Sequence, residues 1–197
     1  LFEKVIEVVD IRMLDHLVDD RLKARKTYTV NVNSTVVIER ELDEAFSAIP
    51  MTSRNHIILE VPYVEALHER AEFDRMVGDL EHENFPIALD GIRWTSLPKL
   101  EVPTERFAYL KIMWDRHLTP ARAPEWAAFS AAVAAVGPER IIMFNCVDDA
   151  VIPDLLALGL TLFQGRGVES FIRRDRIELL HAQEHDLQAE RLADETS

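Results

Sequence analysis

The stretch Phe85-Pro86-Ile87-Ala88-Leu89-Asp90-Gly91 decides the fold, and Tyr109-Leu110-Lys111-Ile112 on the next apolar segment repeats its design. A short apolar run closing on an acid, then another closing on a lysine, is how a parallel α/β barrel presents polar groups at the carboxyl ends of its strands. Strands that are apolar throughout, rather than alternating, are buried on both faces.

Working outward, the same kind of run recurs. Thr27 to Val32 is β-branched and aromatic, Asn55 to Val61 (NHIILEV) is a second apolar strand, and Arg140 to Phe144 and Thr161-Leu162-Phe163 follow later. Pro86 to Asp90 and Phe107 to Ile112 complete six strands. Helical patterns lie between them. Phe2 to Ala24 carries Val5, Ile6, Val9, Met13, Leu14 and Leu17 at helical spacing, and Leu42 to Ile49 is a short helix. Pro62 opens a helix running to about Glu83, since proline suits a first turn. Pro124 to Val136 is alanine-rich and ends at Gly137-Pro138, and Asp149 to Leu158 stops at Gly159. From Ile172 to about Leu192 the pattern is helical and increasingly charged. One helix followed by six β–α units predicts a parallel sheet with helices on its outer side. Six strands fall short of the usual eight, so either the first two strands lie upstream of Leu1, or the sheet is open, or a partner closes it, and the expected fold is a partial barrel lacking its first strands.

The 197 residues suit one domain with a sizeable core. A formal charge of −13 repels nucleic-acid backbone and anionic lipid, so nucleic-acid binding is not expected. The one cysteine, Cys146, sits in an apolar run and reads as an inert core thiol suited to a reducing cytoplasm. No run approaches the roughly 20 apolar residues of a membrane span, and no signal peptide is visible. The expected location is cytoplasmic. The expected division is a barrel domain over 1–173, with an N-terminal helix over 1–25, and a charged helical tail over 174–197. The chain opens on Leu1 rather than methionine, which suggests a piece of a longer protein.

Six polar residues stand at or just past strand ends: Asn31, Glu60, Asp90, Lys111, Asn145 and Gln164. In this order the motifs resemble the EAL-domain family of cyclic-di-GMP phosphodiesterases. Val30-Asn31-Val32-Asn33 resembles the family's V-N-x-S strand, Leu59-Glu60-Val61 its L-E-x-T-E, and Ile87-Ala88-Leu89-Asp90-Gly91 its I-A-x-D-D-F-G. Leu110-Lys111-Ile112 is similar to L-K-I-D, Asn145-Cys146-Val147-Asp148 to E-G-V-E, and Leu158 to Gly165 to L-G-x-x-x-x-Q-G. The resemblance covers roughly Thr27 to Gly165. Asp90 follows Glu60 by 30 positions and Lys111 follows Asp90 by 21, and order and separation carry more than any single motif.

The resemblance implies a site holding two hard cations, magnesium or manganese, that activate water and clamp phosphate oxygens. It implies metal-ligand positions at Asn31, Glu60 and Asp90, a lysine near the attacking water at Lys111, and a supporting polar residue at Gln164. The departures are in the acids. The glutamate of the name motif has no counterpart here, Gly91 replaces the second aspartate of D-D, and Met113 the aspartate of K-I-D. Asn145 replaces the glutamate given the base role, and an amide takes no proton near neutral pH. Asp148 is one methylene shorter than its counterpart, and Ile92-Arg93-Trp94 stands in place of a glycine-rich loop.

These losses predict a catalytically inactive relative, with remnant positions Lys111, Asn145 and Gln164 and with the ligand positions Asn31, Glu60 and Asp90 holding no metal. Glu60 and Asp90, acids on buried strands, need a countercharge, and an ion pair with Lys111 is preferred over a retained metal. The leading functional expectation is a regulatory domain of a bacterial signalling protein acting by contact with a protein partner or a second copy. The alternative is a cyclic-di-GMP receptor that does not hydrolyse its ligand, with contacts from Arg93, Trp94 and Arg166. An active phosphodiesterase is the third reading. No cofactor is expected, or Mg or Mn if any. His181 and His185 stand four apart, a spacing that can hold zinc, but with no third ligand they read as a solvated helix face.

Overall fold

The structure is a computed structural model and describes residues 27–32, 46–47 and 49–175. The expected helix over Phe2 to Ala24, most of the one over Leu42 to Ile49, and the tail beyond 175 with its two histidines lie outside the described residues. So does most of the expected tail segment 174–197.

Six strands form one parallel sheet in sequence order: β1 (Tyr28–Asn31), β2 (Ile57–Pro62), β3 (Ile87–Arg93), β4 (Tyr109–Met113), β5 (Ile141–Phe144) and β6 (Leu162–Phe163). The sheet curls into a half-barrel, the partial barrel that the six apolar runs predict. Between the strands lie α1 (Met51–Arg54), α2 (Tyr63–His68), α3 (Arg70–His82), α4 (Ala123–Val136) and α5 (Ile152–Ala157), and residues 166–175 are helical after β6.

Period-2 alternation divides the strands between two faces. Val30, Leu59, Val61, Leu89, Leu110, Ile112 and Met143 pack with Phe73, Met76, Leu80, Phe129 and Val133 of the outer helices into the main core. The opposite, inner face carries Ile58, Glu60, Ala88, Asp90, Tyr109, Lys111 and Ile142, which the register sets side by side and which stay outside that core.

Several boundaries differ from the sequence reading, by a residue or two at the ends of β1, β2 and β4 and by more elsewhere. The helix expected from Pro62 to Glu83 is two, because Glu69 leaves helical geometry at φ −135° and ψ 64°. Strand β3 runs past Asp90 to Arg93, with a register shift between Leu89 and Ile92 against β4. Gly91 at φ 81° makes that bulge, a conformation that costs a side chain with a Cβ. The bulge keeps Ile92 fully buried in the core and sets Arg93 in register with Met113. Ile92 and Arg93 are thus strand, not loop. Helix α5 covers only Ile152–Ala157, since Asp148 and the residues after it form a turn in which Asp148 Oδ1 accepts the Ala150 N–H at 3.0 Å. The last helix has begun by residue 166, ahead of Ile172.

At the amino end of the sheet Arg54, 7% exposed, donates to the carbonyls of Phe46, Ile49 and Glu83 and to the Glu83 carboxylate at 2.7 Å. Its guanidinium also lies over the Phe85 ring, 5.2 Å from the centroid. Three chain segments are tied together there by one side chain.

Candidate functional site

At the carboxyl ends of β2, β3 and β4 the inner face brings Glu60, Asp90 and Lys111 together. Lys111 Nζ donates to Glu60 Oε2 at 2.6 Å and stands 3.5 Å from Asp90 Oδ1. The Glu60 and Lys111 side chains are 4% and 8% exposed, and Asp90 is 25% exposed. Lys111 also faces the Phe144 ring, 5.5 Å from its centroid. Two carboxylates and one ammonium leave a net charge of −1. Glu60 Oε1 and Asp90 Oδ1 are buried without a hydrogen-bond donor. Burial of such acceptors is costly unless a donor or cation meets them.

The other residues that the sequence singles out surround this trio without bonding to it. Asn31, exposed at the end of β1, is in register with Glu60. Asn145, exposed after β5, has left-handed backbone at φ 59°, which asparagine tolerates better than most residues. Gln164 is exposed, and its backbone joins β5 to the following loop: its N–H donates to Met143 O and its carbonyl accepts the Cys146 N–H. None of these three side chains hydrogen-bonds a described residue. Arg93 ends β3 and Arg166 begins the last helical segment, both exposed.

Trp94, a candidate for stacking on a base, is placed differently. It is 4% exposed, its indole N–H donates to Asp115 Oδ2 at 2.9 Å, and its ring meets Phe129 of α4 edge-on. The bulge at Gly91 shifts the inner–outer alternation by one residue, so that Ile92 and then Trp94 fall on the core side. Trp114 is also in the core, with its indole nitrogen unpartnered. Cys146 is fully buried and burial pushes its thiol up to about 11, so thiolate chemistry is suppressed there.

The loops after β5 and β6 touch backbone to backbone. Gly167 N–H donates to Cys146 O at 2.8 Å, and a Cβ on Gly165 would overlap the Cys146 backbone. The G of the Q-G pair is therefore fixed by close approach. Sequence reasoning missed this contact and Arg54, since neither has a local pattern.

Among the described residues, no three of His, Cys, Asp and Glu gather where they could hold a metal ion. Among them too, no helix is long and apolar enough to cross a membrane.

A parallel half-barrel with its polar groups at the strand carboxyl ends is the architecture of an EAL-type barrel in part, and the solved structures that it matches carry that fold. No family model and no curated protein matches the sequence. The ligand-free S helix–GGDEF–EAL portion of Vibrio cholerae LapD is 12% identical, with a TM-score of 0.62 over 81% of this chain and 41% of that one. A phosphodiesterase named PaMucR, solved with c-di-GMP, is 20% identical with a TM-score of 0.63, over 84% of this chain and 77% of its own. Bacillus subtilis YkuI, with an EAL domain and solved with c-di-GMP and calcium, is 16% identical with a TM-score of 0.56, over 90% of this chain and 52% of its own. The chain thus spans less than half the length of the LapD portion. At these identities the likeness is one of fold.

Proposed function

We propose that this chain is an EAL-like domain of a cyclic-di-GMP signalling protein that does not hydrolyse the dinucleotide and acts by contact with another protein chain. The supporting observation is the Glu60–Lys111–Asp90 trio. The two acids aligned with metal-ligand positions share one buried lysine, and the position aligned with the base is a neutral amide, Asn145. Two divalent cations would bring a charge of +4 against two carboxylates already facing an ammonium. The donor set does not fit such a pair, because hard cations need several oxygen ligands each and water activation needs opposing charge. Phosphodiester hydrolysis without metal or base lacks the groups that would lower its barrier.

Arg93 and Arg166 favour a second reading, a non-hydrolysing receptor. Both are exposed and stand at or after the carboxyl end of a strand, β3 for Arg93 and β6 for Arg166, and a guanidinium fork suits a phosphodiester. In this reading the domain works in a bacterial cytoplasm, with a second copy or a different protein as partner. Calorimetric titration with cyclic-di-GMP, paired with an assay for linear product in magnesium and in manganese, tests both readings. Neither heat nor product up to millimolar ligand supports the contact domain. Micromolar heat without product replaces it with the receptor. Product formation overturns both.

A further inference from the structure

The carboxyl edge of the sheet holds two kinds of unused hydrogen-bonding group. The first is in the trio. Glu60 Oε1 and Asp90 Oδ1 are buried and meet no donor, although each carboxylate has an oxygen within 3.5 Å of Lys111 Nζ. Lys111 makes its close bond, 2.6 Å, to Glu60 Oε2, and the trio keeps a charge of −1. The second kind is the side-chain amides. Asn31 ends β1, Asn145 follows β5 and Gln164 follows β6, so all three stand at that same edge, and all three are exposed. Their amides bond to no described residue.

Each kind selects a ligand chemistry. A side-chain amide offers both donors and an acceptor, the complement of a peptide group. Buried carboxylate oxygens without donors call for a cation that brings donors of its own. A charge of +1 makes the trio neutral, whereas a divalent ion overshoots it and a phosphodiester is repelled by it. Among monovalent groups a guanidinium fits best. Its donors fan out in a plane and can serve two carboxylates, while an ammonium is a point charge of the kind Lys111 already supplies. Asp90, 25% exposed, is the side of the trio open to an incoming group.

We propose that the carboxyl edge of the sheet receives a peptide segment of a partner protein, with an arginine of that segment docked against Asp90 and Glu60 and its backbone held by Asn31, Asn145 and Gln164. The proposal rests on the reading of the chain as a contact domain and gives that contact its chemistry. Lys111 offsets one of the two carboxylate charges, and the arginine offsets the other.

Titration of the full chain, labelled with carbon-13, tests it. The probes are acetyl-Gly-Gly-Arg-Gly-Gly-amide, the same peptide with citrulline, which keeps the shape and loses the charge, and magnesium chloride, all at constant ionic strength. The carboxyl carbon signals of Glu60 and Asp90, assigned with Glu60→Gln and Asp90→Asn, report contact. Calorimetry of the unsubstituted protein gives the same comparison without any variant. The arginine peptide should move both signals saturably and bind at least about tenfold more tightly than the citrulline peptide, the size of a lost charge-assisted hydrogen bond. Asn31→Ala combined with Gln164→Ala, both at exposed positions, should weaken the arginine peptide several-fold. Equal affinity for the two peptides, no arginine binding at millimolar concentration, signals that answer magnesium and not arginine, or indifference to the loss of both amides overturns the proposal. The contact reading itself stands or falls on the titration and product assay with cyclic-di-GMP, so the two can fail separately.

Discussion

Replacing Lys111 by methionine removes the one cation that faces two acids, and the geometry sets the size of the effect. At 2.6 Å from Glu60 and an effective dielectric near 20, the gross attraction is about 6 kcal/mol. Asp90 at 3.5 Å adds about 5 kcal/mol on the same scale. Most of this offsets the desolvation of side chains that are 8% and 4% exposed. What the variant loses is therefore set by the uncompensated Glu60, about 3–5 kcal/mol. With a urea m-value of about 2 kcal/mol/M, the midpoint of unfolding should fall by roughly 2 M. Glu60→Gln should cost only about 1–2 kcal/mol, since Lys111 keeps Asp90 and the new amide oxygen still accepts its N–H. Glu60→Met combined with Lys111→Met should recover about 2 kcal/mol or more of the single-lysine loss, because no fully buried charge is then left alone. Chemical denaturation of the four proteins, with m held constant, reads all of this. A Lys111→Met midpoint within about 0.5 M of the parent would refute the argument, as would a double variant weaker than the single one.

The two positive-φ glycines near the strand ends should respond oppositely in degree. Gly91→Ala meets open space and pays only for its φ of 81°, about 1 kcal/mol, whereas Gly165→Ala collides with the Cys146 backbone and should cost several times that by thermal or urea unfolding. Equal losses would contradict the close approach of the two loops. Cys146 should react with an aromatic disulfide at pH 8 at least about 100-fold more slowly in the native protein than in urea, given its burial and its thiol raised to about 11. Because that folded value lies above the ordinary thiol range, its contribution to stability is complete below roughly pH 8.5 and is lost as pH rises toward 11. Glu81 is held below the ordinary glutamate range by its hydrogen bonds to Arg106. Its contribution is present above roughly pH 4.3 and is lost as pH falls through the lowered value. The pair is partly solvent-screened, so Glu81→Gln should cost no more than about 1 kcal/mol at pH 7 and nothing near pH 2.

Six apolar runs broken by helical patterns determine a parallel sheet whatever else the chain does, because strands buried on both faces must be covered by helices. The order of Glu60, Asp90 and Lys111 along those runs likewise puts all three at carboxyl ends, while the parallel register sets Asn31 beside Glu60. The chain itself therefore determined the fold class and the members of the polar trio.

Only the tertiary structure decided how they meet. That Lys111 bonds Glu60 closely and reaches Asp90 more loosely depends on strand stagger, which no single strand encodes. Trp94 moved from mouth to core because one glycine bulge shifts the register by a residue, a choice made against β4 and not within β3. Arg54 and Gly165 bind or brush backbone far away in sequence, Arg54 at Glu83 and Gly165 at Cys146. Local composition specifies which face a side chain takes. Pairing across the sheet specifies which neighbour it finds there.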